Sequence, residues 1–249
     1  MPILNCHDQE TTLASLSAAV GVPAADLCEA LRTLDDVDAE DAERPEIAKP
    51  QLVLGSLGVN IATVQLAGAN YFHGTRTTDP EGFWERGILS LDEMLEQIWT
   101  TLFDLAGCSP DEWAEFRRAV EAGAGDHDGF LYRLKTGERQ HHGPHAVLVR
   151  DVLINPATEG WHDYLDCPEI VQDIARCYGA DLEARFRAAS KPCIVTFRRT
   201  DINAPRAIAC ACWHLHGDGK TNITIEGYMG EGAAIPPEDV VAVEAVATR

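Results

Sequence analysis

Apolar residues recur at helical spacing early in the chain: Leu13, Leu16 and Val20 mark one face of Thr11–Val20, and Gly21 is placed to stop that helix. Pro23 suits the first turn of a second helix running to about Leu34, so a helical hairpin opens the chain. From Gln51 to Phe72 the pattern turns β-like, with Leu52-Val53-Leu54 and Ile61–Leu66 set between glycines. Ser90 then precedes a helix whose Leu91, Met94, Leu95, Ile98, Leu102 and Phe103 share a face, and Asp92 and Glu93 suit its first turn. Asp111–Ala122 predicts a polar helix, Gly123–Gly129 a flexible break and His145–Ile154 a strand. Between Pro168 and Ala189, Ile170, Ile174, Cys177, Tyr178 and Phe186 keep approximate helical phase until Ser190-Lys191-Pro192 ends the run. Four more strands are expected at Cys193–Phe197, Arg206–His214, Thr221–Met229 and Val240–Val246. A strand-rich second half packed with helices predicts an α+β fold, not alternating βαβ units.

Charge narrows the partners. Forty acidic against 20 basic residues give a net charge of −20 over 249 residues, which disfavours a phosphate backbone as ligand. The opening hairpin resembles a helix-turn-helix only in outline, because Asp26, Glu29, Asp35 and Asp36 would face the phosphates. Acidic residues concentrate in Leu34–Glu46, which reads as a solvated linker, so residues 1–49 form a helical N-terminal extension and 50–249 the main domain. No apolar run approaches the roughly 18 residues of a membrane span, and Met1–Cys6 lacks the basic start and apolar core of a signal peptide. A cytoplasmic location without membrane attachment is expected. The eight cysteines have no regular close spacing and read as reduced, small hydrophobes.

One segment carries specific chemistry. Tyr71-Phe-His-Gly-Thr-Arg76 follows an apolar strand and leads through a polar loop to Gly87-Ile-Leu89 and a helix. This stretch resembles the His-Gly-Thr first motif of the ADP-ribosyltransferase superfamily, which includes poly-ADP-ribose polymerases, rifamycin-modifying transferases and tRNA 2′-phosphotransferases. The resemblance implies a split, twisted antiparallel β core with flanking helices, NAD as co-substrate, Gly74 gripping nicotinamide and His73 a ribose hydroxyl. A glycine admits a ligand amide against the backbone, while imidazole and hydroxyl groups bond ribose oxygens. Thr75 and Arg76 belong to the same implied cofactor grip; Arg76, Arg150, Arg198 and Arg199 are the candidates to steer the pyrophosphate, since guanidinium forks match phosphate oxygens, and of these Arg76 alone lies in the motif.

For the family's stacking tyrosine the match is Tyr132, with Tyr164 and Tyr178 competing; for its late carboxylate it is Glu226, with Glu231 in reserve. Ile235-Pro-Pro237 is similar to the family's closing strand-turn-strand. The implied reaction is loss of nicotinamide through an oxocarbenium-like transition state, which Glu226 would stabilise electrostatically. The acceptor is unspecified, with a protein or a small molecule favoured. Two other readings stand beside it: 2′-phosphate transfer from RNA to NAD, and a non-catalytic NAD-binding or interaction domain. Cys210, Cys212, His214 and His216 alternate like zinc ligands, but on a strand their ends would lie about 20 Å apart, so no metal is assigned. His141, His142 and His145 read as a solvent-exposed loop cluster.

Overall fold

The computed structural model describes residues 1–39, 42–123, 127–156, 162–217 and 227–247. Helices and strands are mixed, as an α+β reading requires. Contacts divide the chain into two units, Met1–Phe72 with Ala146–Trp161 and Thr196–Tyr228, and His73–His145 with His162–Val195 and Met229–Arg249. That division does not fall at the expected 49/50 boundary.

In the first unit, helix α1 (Gln9–Val20) starts under the Asp8 carboxylate, which accepts the Thr11 N–H, and ends at left-handed Gly21. This start holds the Asp8 carboxyl down at about 2. Helix α2 (Ala24–Leu31) follows Pro23 and buries Leu27 and Leu31. The N-terminal segment is stitched in, because strand β1 (Ile3–Leu4) pairs in parallel with Gly68 and Ala69 of strand β2 (Gly68–Thr77).

Two strand expectations are overturned. Pro45–Ser56 is helix α3 and Ile61–Thr63 a single 3-10 turn, so Gln51–Leu66 holds no strand. Pro45 at the first turn starts α3, and of the Leu52-Val53-Leu54 triplet only Val53 and Leu54 are buried while Leu52 points outward. Arg206–His214 lies inside helix α11 (Ala204–His216), capped by Asn203 and opened by Pro205. Ala207, Ile208, Ala209, Cys210, Ala211, Cys212 and His214 are all buried. A helix covered on nearly every side has no polar face, so its 3.6-residue period cannot be read from composition.

The second unit is largely helical. Between β2 and the main helix lies helix α4 (Gly82–Arg86). Helix α5 (Leu91–Ala106) and helix α6 (Pro110–Glu121) match the apolar stripe and the polar helix expected there. In both, the glutamate three residues in, Glu93 or Glu112, reaches back to the N-cap serine amide. Helix α7 (His127–Gly137) begins inside the expected Gly123–Gly129 break. His145–Ile154 yields only the short strand β3 (His145–Val147), with helix α8 (Asp151–Ile154) closing the stretch in the first unit. The Pro168–Ala189 helix is two helices, α9 (Glu169–Tyr178) and α10 (Ala180–Ala189), because Gly179 has φ 144°. A residue without Cβ adopts that backbone freely.

Strands β4 (Lys191–Arg199), β5 (Gly227–Met229) and β6 (Val240–Ala245) complete a six-stranded sheet of order β5-β3-β2-β4-β6, with β1 beside β2. Pairing of β2 with β3 is antiparallel. Thr221–Glu226 of the expected strand lies outside the described residues. Among the described residues no single helix is long and apolar enough to cross a membrane.

Candidate active site on strand β2

Strand β2 is buried on both faces at first and alternates later: His73, Thr75 and Thr77 are half-buried, whereas Gly74 and Arg76 point into the protein. That period of two puts His73 and Thr75 on one face, about 7 Å apart along the strand. The His73 Nδ1 lies 2.8 Å from the His145 carbonyl oxygen. A carbonyl only accepts, so Nδ1 carries the proton and Nε2 is left with a bare lone pair. Burial pushes the His73 imidazole below the ordinary histidine range, against the smaller opposing effect of the His145 carbonyl. The ring is therefore a neutral acceptor at pH 7.

Arg76 takes a different part from the one expected of it. Only 8% exposed, it donates from Nε to Ser190 Oγ (2.9 Å), from Nη1 to the Leu165 carbonyl (3.2 Å) and from Nη2 to the Arg187 (2.7 Å) and Ser190 (3.2 Å) carbonyls. Arg187 lies in the last turn of α10 and Ser190 is its C-cap, so the guanidinium satisfies a helix end at the negative pole of its dipole. Pyrophosphate steering by Arg76 is corrected on this ground.

Tyr132 is likewise committed to a core. It is 2% exposed among Trp99, Leu102, Trp113, Val120 and Ile174, its hydroxyl accepts from Trp99 Nε1 at 3.3 Å, and its ring meets Trp99 edge-on. A ring enclosed in this way offers no open face for a nicotinamide. Of the competitors, Tyr164 stands edge-on to His162 and Tyr178 edge-on to Trp113 and Phe116. Glu226 lies outside the described residues.

Glu231, the reserve carboxylate, sits exposed at the apex of a turn closed by the Ala233 N–H on the Gly230 carbonyl. Its φ of 50° is in the left-handed region, which a residue with a side chain occupies only under constraint. The constraint is visible on either side: Gly230 N–H donates to the Pro144 carbonyl and Gly232 N–H to the Gly143 carbonyl, both at 3.0 Å. This glycine turn therefore clasps the loop that ends at His145. Sequence reading missed the clasp; its one signal is the Gly230-Glu231-Gly232 spelling after a short strand.

Two segments singled out by the family resemblance meet in the same unit. Ile88 and Ile235 form an antiparallel bridge, with Ile88 N–H to Ile235 O at 2.9 Å and Ile235 N–H to Ile88 O at 2.8 Å. Gly87 is required beside it, since its φ is 73° and a Cβ there would stand 1.9 Å from Ile235 O.

No family model, curated protein or solved structure matches this chain. The functional reading therefore rests on the residues alone.

The cysteine-histidine run falls on α11, where Cys210 and His214 are one turn apart and Cys212 and His216 another. Among the described residues no three metal-ligating side chains gather. His214 is fully buried with neither ring nitrogen paired, and burial pushes it down as well. The histidine loop is less exposed than expected: His142 donates from Nε2 toward the Thr136 carbonyl at 3.2 Å, and His145 Nδ1 is buried. An open groove of about 410 Å³ in the first unit has Leu13, Cys28, Leu31 and Leu215 along it, with Arg32 and His216 at its polar edge. His216 is held there by the Leu31 carbonyl and Asp35.

Proposed function

We propose that this chain binds NAD along His73-Gly74-Thr75 and transfers its ADP-ribosyl group, releasing nicotinamide. The observation that carries the reading is the His73 imidazole, neutral and with Nε2 as acceptor, which suits a ribose hydroxyl that must donate. The Ile88–Ile235 bridge supports it, because it joins the loop after the His-Gly-Thr motif to the Ile235-Pro-Pro segment that the same family resemblance selects.

In the reaction the bond between nicotinamide nitrogen and ribose carbon breaks, nicotinamide keeps the electron pair, the acceptor's lone pair closes on the cationic carbon, and the acceptor's proton is released to solvent. His73 orients the ribose and stays neutral throughout. A carboxylate beside the ribose would stabilise the developing positive charge more than the ground state, which lowers the barrier without tightening binding. Glu226 is the sequence's candidate for that task and Glu231 the alternative. Arg76 and Tyr132 are left out of the mechanism, since both serve the interior. The acidic net charge favours a protein or small-molecule acceptor over RNA.

Calorimetric titration with NAD, together with chromatographic detection of free nicotinamide, tests the reading. His73→Ala should weaken NAD binding by roughly 10-fold or more, the size of one lost hydrogen bond in a half-buried site, with the circular dichroism spectrum unchanged. Failure of the unaltered protein to bind NAD at millimolar concentration, with no nicotinamide released, would remove it.

A further inference from the structure

We infer that Gly230 is a positioning residue: the Gly230–Gly232 turn sets the tautomer of His73 by holding the His145 carbonyl in place. Which nitrogen of an imidazole carries the proton follows from the hydrogen bond the other ring position is offered, and here that bond comes from backbone 72 residues away. His145 directly follows Gly143 and Pro144, and the carbonyls of both accept from the turn, at 3.0 Å each, from Gly232 and Gly230. On the other side of the loop the His142 carbonyl accepts the Leu91 N–H at 2.7 Å, so the loop is pinned from two directions.

Room for the clasp exists only because position 230 has no side chain. A Cβ on Gly230 would stand 2.6 Å from the Gly143 oxygen and 2.7 Å from the Gly143 carbonyl carbon, both backbone atoms that cannot swing aside as a long side chain would, and 2.7 Å from Cδ of the Pro144 ring. Gly232 is constrained differently, by its φ of +78°, since the atoms nearest a Cβ there belong to the Arg139 side chain, which can move. Displacing Gly143 and Pro144 moves the carbonyl of the next residue, His145, off the His73 Nδ1. The ring is then free to place its proton on Nε2, which converts the acceptor into a donor.

The role of that acceptor in holding a ribose hydroxyl rests on the function proposed above, whereas the tautomer itself does not. Long-range proton–nitrogen correlation on histidine-labelled protein reads the tautomer of His73 directly, with His73→Gln identifying its signals. The expected spectrum of the unaltered chain is a single Nδ1–H form. Gly230→Ala should give a mixture or the Nε2–H form and raise the Kd for NAD about 10-fold. A second variant carries one glycine inserted between Glu231 and Gly232; it lengthens an exposed turn without adding a side chain, a change surface loops tolerate. It should mix the tautomers in the same way. An Nε2–H signal in the unaltered chain, or a tautomer unmoved in whichever variants fold, overturns the inference. Mixed tautomers in the variants together with no NAD binding by the unaltered chain uphold the positioning role and defeat the NAD reading.

Discussion

Replacing Arg76 by methionine (Arg76→Met) separates a structural guanidinium from a ligand-binding one. The methionine stem would keep most of the apolar contact, so the loss falls on four hydrogen bonds, to Ser190 Oγ and to the Leu165, Arg187 and Ser190 carbonyls. A bond from a charged donor contributes about 1.5–3 kcal/mol, but four bonds from one group are not additive, and the freed acceptors at the end of α10 regain some water. A net cost of about 4 kcal/mol is expected, which for a chain of this size lowers the thermal midpoint by roughly 8–16 °C. Arg76→Lys should fall between, because an ammonium supplies charge to the helix end without the planar fork. Unfolding followed by circular dichroism gives the stability, and calorimetry on the folded fraction gives NAD affinity, which should change by less than about 3-fold. A midpoint within about 3 °C of the unaltered protein, or NAD binding lost at full stability, would refute the reasoning and return Arg76 to the ligand.

Gly87→Ala should be among the most damaging single changes, costing at least about 3 kcal/mol, because the new Cβ meets Ile235 O at 1.9 Å while φ is 73°; urea unfolding checks it, and a loss below about 1 kcal/mol contradicts the strain argument. Stability should also fall as pH drops below about 6.5, where unfolded histidines take up protons. His73, His145 and His214 have folded values depressed chiefly by burial, so their contribution is complete above that pH and is lost on descent toward the folded values. His214→Leu should flatten this slope between pH 7 and 5 and leave the protein at least as stable at pH 7, since it removes a buried ring with both nitrogens unpaired. A slope identical to that of the unaltered chain would show that His214 is solvated.

Local chemistry alone determined the helices with one wet face. The Leu91–Phe103 stripe, the Ser109-Glu112 reciprocal cap and the Gly21 stop are each complete within a few residues, and α1, α5 and α6 formed where those signals lie. Strands β4 and β6 were legible for the same reason, their apolar runs being bounded by turn residues, whereas β2 carries the motif that was expected to follow a strand at Ile61–Leu66. Tertiary structure decided the rest. Helix α11 reads as a strand because burial on every side erases its period, and Pro168–Ala189 reads as one helix because a kink at Gly179 leaves the apolar phase nearly intact. The site divides in the same way. His73-Gly74-Thr75 is visible as a motif on one strand, but the fate of Arg76 depends on Ser190, more than a hundred residues away, and the tautomer of His73 on a carbonyl at 145 clasped by a turn at 230. A side chain's neighbours along the chain set its backbone conformation, whereas its hydrogen-bond partner is whichever group packing brings within about 3 Å, and only the folded chain specifies that.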